Sequence, residues 1–176
     1  MQEQQSVIGA ASWSPPRRLI NSLGFSVCGV ALGFAYFFFQ GYLGLEPCPL
    51  CIFQRVAMFA TGLVFLAAAL HGPGLLGARI YAVLILLTAG TGAAIAARHV
   101  WLQHLPPERV PACGPSLEYM LETLPIGQTI RKVLIGTGDC ALIDWTFLGL
   151  SIPGWTLVIF VGLGLLGAVR NWIEAT

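Results

Sequence analysis

Leu45-Glu-Pro-Cys-Pro-Leu-Cys-Ile-Phe-Gln-Arg55 runs straight into Val56–Leu70, VAMFATGLVFLAAAL, and the run stops at His71-Gly-Pro-Gly74. Two features of this stretch decide the reading. From Ile52 to Leu70 the chain is apolar over about the 20 residues that a helix needs to cross a bilayer. At its entrance stands Cys48-Pro-Leu-Cys51, a C-x-x-C pair, which is a redox or metal device. A dithiol at a membrane surface can exchange electrons with a thiol protein in water and with a lipid-soluble carrier.

Three further apolar runs flank this one: Leu19–Gln40, Ile80–Ala97 and residues 154–169, the last the shortest. The 176-residue chain is 56% hydrophobic and 10% charged, against about 25% charged in ordinary soluble domains. Continuous apolar runs exclude the period-2 alternation of a membrane β-barrel. We therefore expect an all-α membrane protein, a single integral domain over residues 1–176 built as a four-helix bundle in the lipid bilayer. Its loops at one end are expected at about 41–51 and 98–152. The net charge of +1 and the absence of a basic patch speak against nucleic acid as a partner.

Residues 1–18 read as a polar tail ending in Pro15-Pro-Arg-Arg18. The first apolar run is too long for a signal-peptide core and lacks an A-x-A cleavage site, so Arg17-Arg18 reads as a pair of anchor charges. Four spans place both termini on one side. The count of basic residues is nearly even between the sides, but Arg17-Arg18 precede the first span and favour cytoplasmic termini. Cys48, Cys51, Cys113 and Cys140 then all face the outside, where disulfides persist.

The second loop has internal order. Leu117, Met120, Leu121 and Leu124 recur at helical spacing, with Ser116 as N-cap and Glu118 in the first turn. This predicts a short amphipathic helix over 116–124, lying in the membrane interface or packed on the span ends. Ile126, Ile130, Val133 and Leu134 are expected to continue its apolar face.

The chemistry rests on few residues. Pro49 suits an early helical position, so the second helix is expected to begin between the two sulfurs with Cys51 in its first turn. A helix start favours thiolate and lowers the thiol pKa. Arg55, at i+4 from Cys51, adds a positive charge on the same face; its alternative is an interfacial anchor. A redox pair is the favoured reading of Cys48 and Cys51, over a structural disulfide or a metal site, and no metal is expected. Cys113 and Cys140 sit in Pro/Gly-rich loop sequence and read alone as a structural clasp. Beside a C-x-x-C they read as a second exchanging pair, since thiol–disulfide exchange proceeds by contact. Cys28, mid-span, reads as a packing residue. His99 at the end of the third run is a candidate, with an ordinary interfacial histidine as the alternative.

Taken together, these features resemble the DsbB family, the quinone-linked disulfide-generating proteins of the bacterial inner membrane. The resemblance rests on the C-x-x-C with Arg at +4 between spans one and two, on two cysteines in a long loop between spans three and four, and on Gly138-Asp-Cys140 … Trp145-Thr-Phe-Leu-Gly-Leu150-x-x-Pro153-x-Trp155. It covers Leu19 to Trp172. It implies that a Cys113–Cys140 disulfide oxidises a periplasmic thioredoxin-fold partner similar to DsbA, with Cys113 forming the mixed disulfide. It implies that electrons pass to Cys48–Cys51 and then to a membrane quinone, ubiquinone or menaquinone, held by Arg55, His99 and Cys51. The residue before this histidine is acidic in well-known members; here it is Arg98. Three other readings compete. A DsbB paralogue could serve one dedicated partner. A vitamin K epoxide reductase-like enzyme would place its loop cysteines before the C-x-x-C. A tetraspanin-like organiser would carry Cys-Cys-Gly, absent here.

Overall fold

The computed structural model describes residues 17–173; the N-terminal tail read from the sequence lies, apart from Arg17 and Arg18, outside the described residues. Among the described residues, four helices are long and apolar enough to cross a membrane. Helix α1 (Arg17–Gly33) continues as a wider π-helical stretch over Phe34–Tyr42; α2 is Pro49–His71, α3 is Leu75–Gln103 and α6 is Ile152–Ile173. The loop between α3 and α6 holds two short helices, α4 (Leu117–Thr123) and α5 (Ile126–Ile135), and a two-residue-stranded hairpin, β1 (Thr146–Phe147) with β2 (Leu150–Ser151). The hairpin pairs antiparallel, Thr146 with Ser151 and Phe147 with Leu150.

Each span overruns its apolar run, most of all α3, expected over 80–97 and observed over Leu75–Gln103. Hydropathy reports the thickness of the hydrocarbon layer, whereas a helix continues until something stops it. For α2 the stop is Gly72, which adopts the left-handed conformation (φ 53°) and returns its N–H to Ala68 O, the glycine-terminated helix end.

α1 packs on α2, α2 on α3, and α3 along α6, the longest of these interfaces. Without a hydrophobic drive between helices in lipid, close packing must supply the attraction, and small residues admit it. Phe65 of α2 wedges between Gly24 and Gly167, where an added Cβ would fall 2.7 and 2.6 Å from its ring. Phe160 of α6 lies against Gly92 of α3 more tightly still. These contacts build a core of Cys28, Met58, Phe65, Ile85, Ala89, Ala96, Phe160 and Leu163. Residues such as Val30, Phe37 and Leu70 point outward, as lipid-facing positions do. Cys28 is buried against Gly62, the packing place expected for it.

At one end of the bundle Asn21 and Asn171 exchange hydrogen bonds, each side-chain amide donating to the other's Oδ1 (3.2 and 3.0 Å). The first and last spans therefore begin and end at the same face. At the opposite end a second core forms from Leu50, Ile95, Leu102, Met120, Val133 and Cys140, with Cys48 packed against it. This core docks the long loop onto the heads of α2 and α3.

Ser116 caps α4 as expected, accepting from Tyr119 N–H at 3.3 Å. The expectation for the next segment needs correction. Ile126–Ile135 is a separate helix that buries Val133 with Thr129, whereas Ile126, Ile130 and Leu134 are exposed. Thr129 fixes this orientation by donating its hydroxyl to Met120 O at 3.1 Å.

Candidate redox site

The site begins with the start of α2. Cys48 has extended backbone (φ −64°, ψ 162°) and is the N-cap, and Pro49 occupies the first helical position. The helix thus starts between the two sulfurs. The Cys51 N–H donates to Cys48 Sγ at 3.4 Å, so sulfur does what Ser or Asp does at an ordinary N-cap. All five cysteines carry free sulfurs.

α3 contributes His99, 3% exposed. Its Nε2 lies 3.8 Å from Cys48 Sγ and its Nδ1 3.0 Å from Gln54 Nε2. With the Gln54 amide nitrogen donating to Nδ1, the ring proton of neutral His99 sits on Nε2 and faces the sulfur. Sequence reading does not single out Gln54; its only signal is a polar residue one turn into a span, three positions after Cys51. Arg55 is half-buried. Its guanidinium donates to Gln40 Oε1 (2.8 Å) and Ala35 O (3.1 Å), which ties α2 to the π-helical stretch. π-type turns occur often beside functional sites.

The long loop brings in Cys140. It sits in a 3-10 turn, Gly138–Ala141, its N–H donating to Thr137 O at 3.0 Å and its sulfur 3.7 Å from Thr137 Oγ1. The Cys140 side chain is buried in the same core as Leu50, and Cys48 is packed against that core. Hydrogen bonding to Cys48, then burial, push its thiol pKa far above the ordinary range. Cys113 is exposed and lies beside Gly138: an added Cβ there would meet Cys113 Sγ at 3.2 Å, and Gly138 N–H donates to Ala112 O at 3.2 Å. A hydrogen bond with Asp139, with that carboxylate's charge, raises the Cys113 pKa. The fold therefore gathers Cys48, Cys51, His99 and Cys140, with Cys113 exposed and Cys140 buried.

Arg98 turns away from this cluster. It donates to Leu134 O (3.2 Å) and Ile135 O (2.8 Å), the last carbonyls of α5, and covers the Trp101 ring at 4.2 Å. Its charge serves a helix C-terminus, where a cation is favoured.

A cavity of about 1170 Å³ opens in front of Cys51, Arg55 and His99, walled by Phe38, Phe39 and Ile159. The Trp145-to-Trp155 stretch builds its rim. Trp145 meets Phe39 edge-on (5.1 Å) and stacks on Phe147 (5.9 Å), and Trp155 Nε1–H donates to Phe147 O at 3.0 Å. Ser151 donates to Gln103 Oε1 at 2.6 Å and holds the hairpin to α3.

The family model for "Disulfide bond formation protein DsbB" matches residues 17–170. The chain belongs to the DsbB family. It is 55% identical to disulfide bond formation protein B of Methylococcus capsulatus, over 90% of this chain and 96% of that protein. It is 54% identical to the protein of the same name from Hahella chejuensis, over 90% and 98%, and 50% identical to that of Nitrosococcus oceani, over 85% and 88%. A DsbB chain is a multi-pass membrane protein with a disulfide-forming redox role. With the family shown, the vitamin K epoxide reductase-like and tetraspanin-like readings fall away.

Proposed function

We propose that this DsbB protein oxidises a thioredoxin-fold dithiol protein similar to DsbA and delivers the electrons to membrane quinone, with both cysteine pairs in series. One observation carries the reading: Cys140 of the long loop is buried in the core against which Cys48, at the head of α2, is packed.

The exchange balances in four displacements. A partner thiolate attacks Cys113 of a Cys113–Cys140 disulfide, giving a mixed disulfide and releasing Cys140 as thiolate. The second partner thiol resolves it, so the partner leaves with a disulfide and the loop pair holds two electrons as thiols. Cys140 then attacks Cys48 of a Cys48–Cys51 disulfide, Cys51 leaves as thiolate, and Cys113 displaces Cys48 from Cys140. The loop disulfide is restored and Cys48–Cys51 holds the electron pair. Attack needs contact, and Cys140 is the loop sulfur buried in the core against which Cys48 is packed. Exposure favours Cys113 as the sulfur that meets protein.

The residues beside Cys51 suit a quinone: an apolar, aromatic-walled cavity with a few convergent polar groups is the usual form of a small-molecule site. Arg55, His99 and Cys51 would hold it, and ubiquinone and menaquinone both fit such a wall. A bound quinone supplies a two-electron, two-proton acceptor. For its part the chain places Cys51 at a helix start, orients His99 through Gln54, and keeps Arg55 on the cavity side.

The orientation proposed is the bacterial inner membrane with cytoplasmic termini and periplasmic cysteines. Arg17 and Arg18 lie at the Asn21–Asn171 end of the bundle, away from the cysteines, as the positive-inside rule favours.

Single-turnover assays test the relay. With its loop disulfide verified beforehand, Cys51→Ser should oxidise one equivalent of partner and reduce no quinone. Cys140→Ser should trap the partner covalently on Cys113. Loss of the first partner oxidation in Cys51→Ser would overturn the series arrangement.

A further inference from the structure

Three ligand atoms converge at the head of the bundle: Cys48 Sγ, Cys51 Sγ and a ring nitrogen of His99 all lie within 4.8 Å of one another. The His99 Nε2–Cys48 Sγ distance is 3.8 Å. Around a tetrahedral zinc-type ion, with Zn–S of about 2.3 Å and Zn–N of about 2.0 Å, neighbouring ligand atoms sit roughly 3.6–3.8 Å apart. The cluster thus needs to contract by no more than about an ångström. We propose that Cys48, Cys51 and His99 form a thiophilic metal site, for Zn²⁺ or a similar d¹⁰ cation, that exists only when the cysteine pair is reduced.

Three observations support it besides proximity. The ligands are of the right kind, two thiolates and an imidazole, which suit zinc and not magnesium or calcium. The histidine has an amide beside its other nitrogen that can become the outer partner of a metal-bound histidine: Gln54 Nε2 lies 3.0 Å from Nδ1. For Nε2 to bind a cation its proton must move to Nδ1 and the Gln54 amide must turn its carbonyl oxygen to accept that N–H. All three ligands also line the cavity, which gives an entry path and leaves a fourth position open, as in zinc sites with three protein ligands.

The gating follows from the sulfurs. A cation binds the two thiolates and displaces their protons to solvent; no electrons move. A Cys48–Cys51 disulfide offers no thiolate, so the ion leaves when the pair is oxidised. Binding therefore stabilises the dithiol and opposes its reoxidation. At free metal a hundred times the dissociation constant, the equilibrium for reoxidation shifts about a hundredfold toward dithiol. Zinc would hold the protein in its electron-loaded state. This gating rests on reading Cys48–Cys51 as a redox pair; the coordination itself does not.

The test uses the full chain in detergent, reduced under anaerobic conditions, titrated with Co²⁺ and then displaced with Zn²⁺. The expected result is one ion per chain, with thiolate-to-cobalt charge transfer and the d–d bands of a tetrahedral site, lost when the protein is oxidised. His99→Ala and His99→Gln should remove the tetrahedral spectrum while helicity, checked by circular dichroism, is kept. Gln54→Leu should weaken binding about 10–100-fold. Cys28→Ser and Cys113→Ser should bind as the parent does. No binding to the reduced parent, binding that survives oxidation, or binding indifferent to both His99 variants overturns the proposal. Partner oxidation and quinone reduction, measured on the same preparation in metal-free buffer, report the relay separately. Active protein that binds no metal defeats this inference alone; inactive protein that binds metal defeats the relay alone.

Discussion

His99 Nε2 stands 3.8 Å from the Cys48 sulfur, across 51 positions of chain. A buried histidine from α3 thus faces the N-cap of α2, and the Gln54 amide on its other nitrogen decides which way the ring proton points.

The first prediction concerns that amide. Gln54→Leu removes the partner of Nδ1 and leaves the tautomer of His99 unset. A lost buried hydrogen bond of about 1–1.5 kcal/mol corresponds to roughly a tenfold fall in rate. Steady-state quinone reduction should fall by about that factor, while the first partner oxidation by a preformed loop disulfide keeps its rate. Equal slowing of both steps would place Gln54 in a general structural role.

Loop docking gives the second. Arg98 holds the last carbonyls of α5. Arg98→Ala should cost about 1 kcal/mol and speed amide hydrogen exchange across Ile126–Ile135 about fivefold, with the spans unaffected. Unchanged exchange would show that Thr129 and Val133, both buried, hold the helix without Arg98.

A third prediction tests helix packing. Gly92→Ala sets a methyl against the Phe160 ring, whereas a Cβ at Gly90 meets nothing within 4 Å. The first should destabilise by about 1–3 kcal/mol through overpacking; the second should not. Thermal melts followed by circular dichroism in one detergent compare them.

The fourth turns on the pH dependence of Cys113. Its pKa is raised, first by the hydrogen bond with Asp139 and then by that carboxylate's charge. A raised thiol pKa means less thiolate at neutral pH. Asp139→Asn should move the pKa down and raise the iodoacetamide rate near pH 7. The rate–pH curve of Cys113 should shift to lower pH; a shift to higher pH would contradict the contact.

Much of the architecture is legible in the sequence. Apolar run lengths give the four spans because only helices of that length satisfy their backbone inside lipid. Pro49 between the sulfurs gives the start of α2, and Ser116 gives that of α4. Other features depend on distant partners. The burial of Thr129 and Val133 in α5 goes with Thr129 reaching Met120 O, and α3 starts at Leu75, just past Gly72-Pro-Gly74, rather than at Ile80. Gln54 matters because of a histidine 45 positions away. The i+4 spacing puts Arg55 on the Cys51 side of α2, but its bonds to Ala35 and Gln40 depend on how α1 packs on α2. Trp145 and Trp155 belong to the family resemblance, and only the fold makes them the rim of the cavity.

In the proposed relay the two cysteine pairs communicate through Cys140 and Cys48. Leaving only these two of the four in a Cys51→Ser, Cys113→Ser variant tests it most directly. Under mild diamide oxidation, peptide mapping without reductant should recover a Cys48–Cys140 disulfide in high yield. The matching Cys48→Ser, Cys113→Ser variant, which leaves Cys51 and Cys140, should form its disulfide far more slowly. Equal rates in the two variants, or no Cys48–Cys140 bond, would contradict the account.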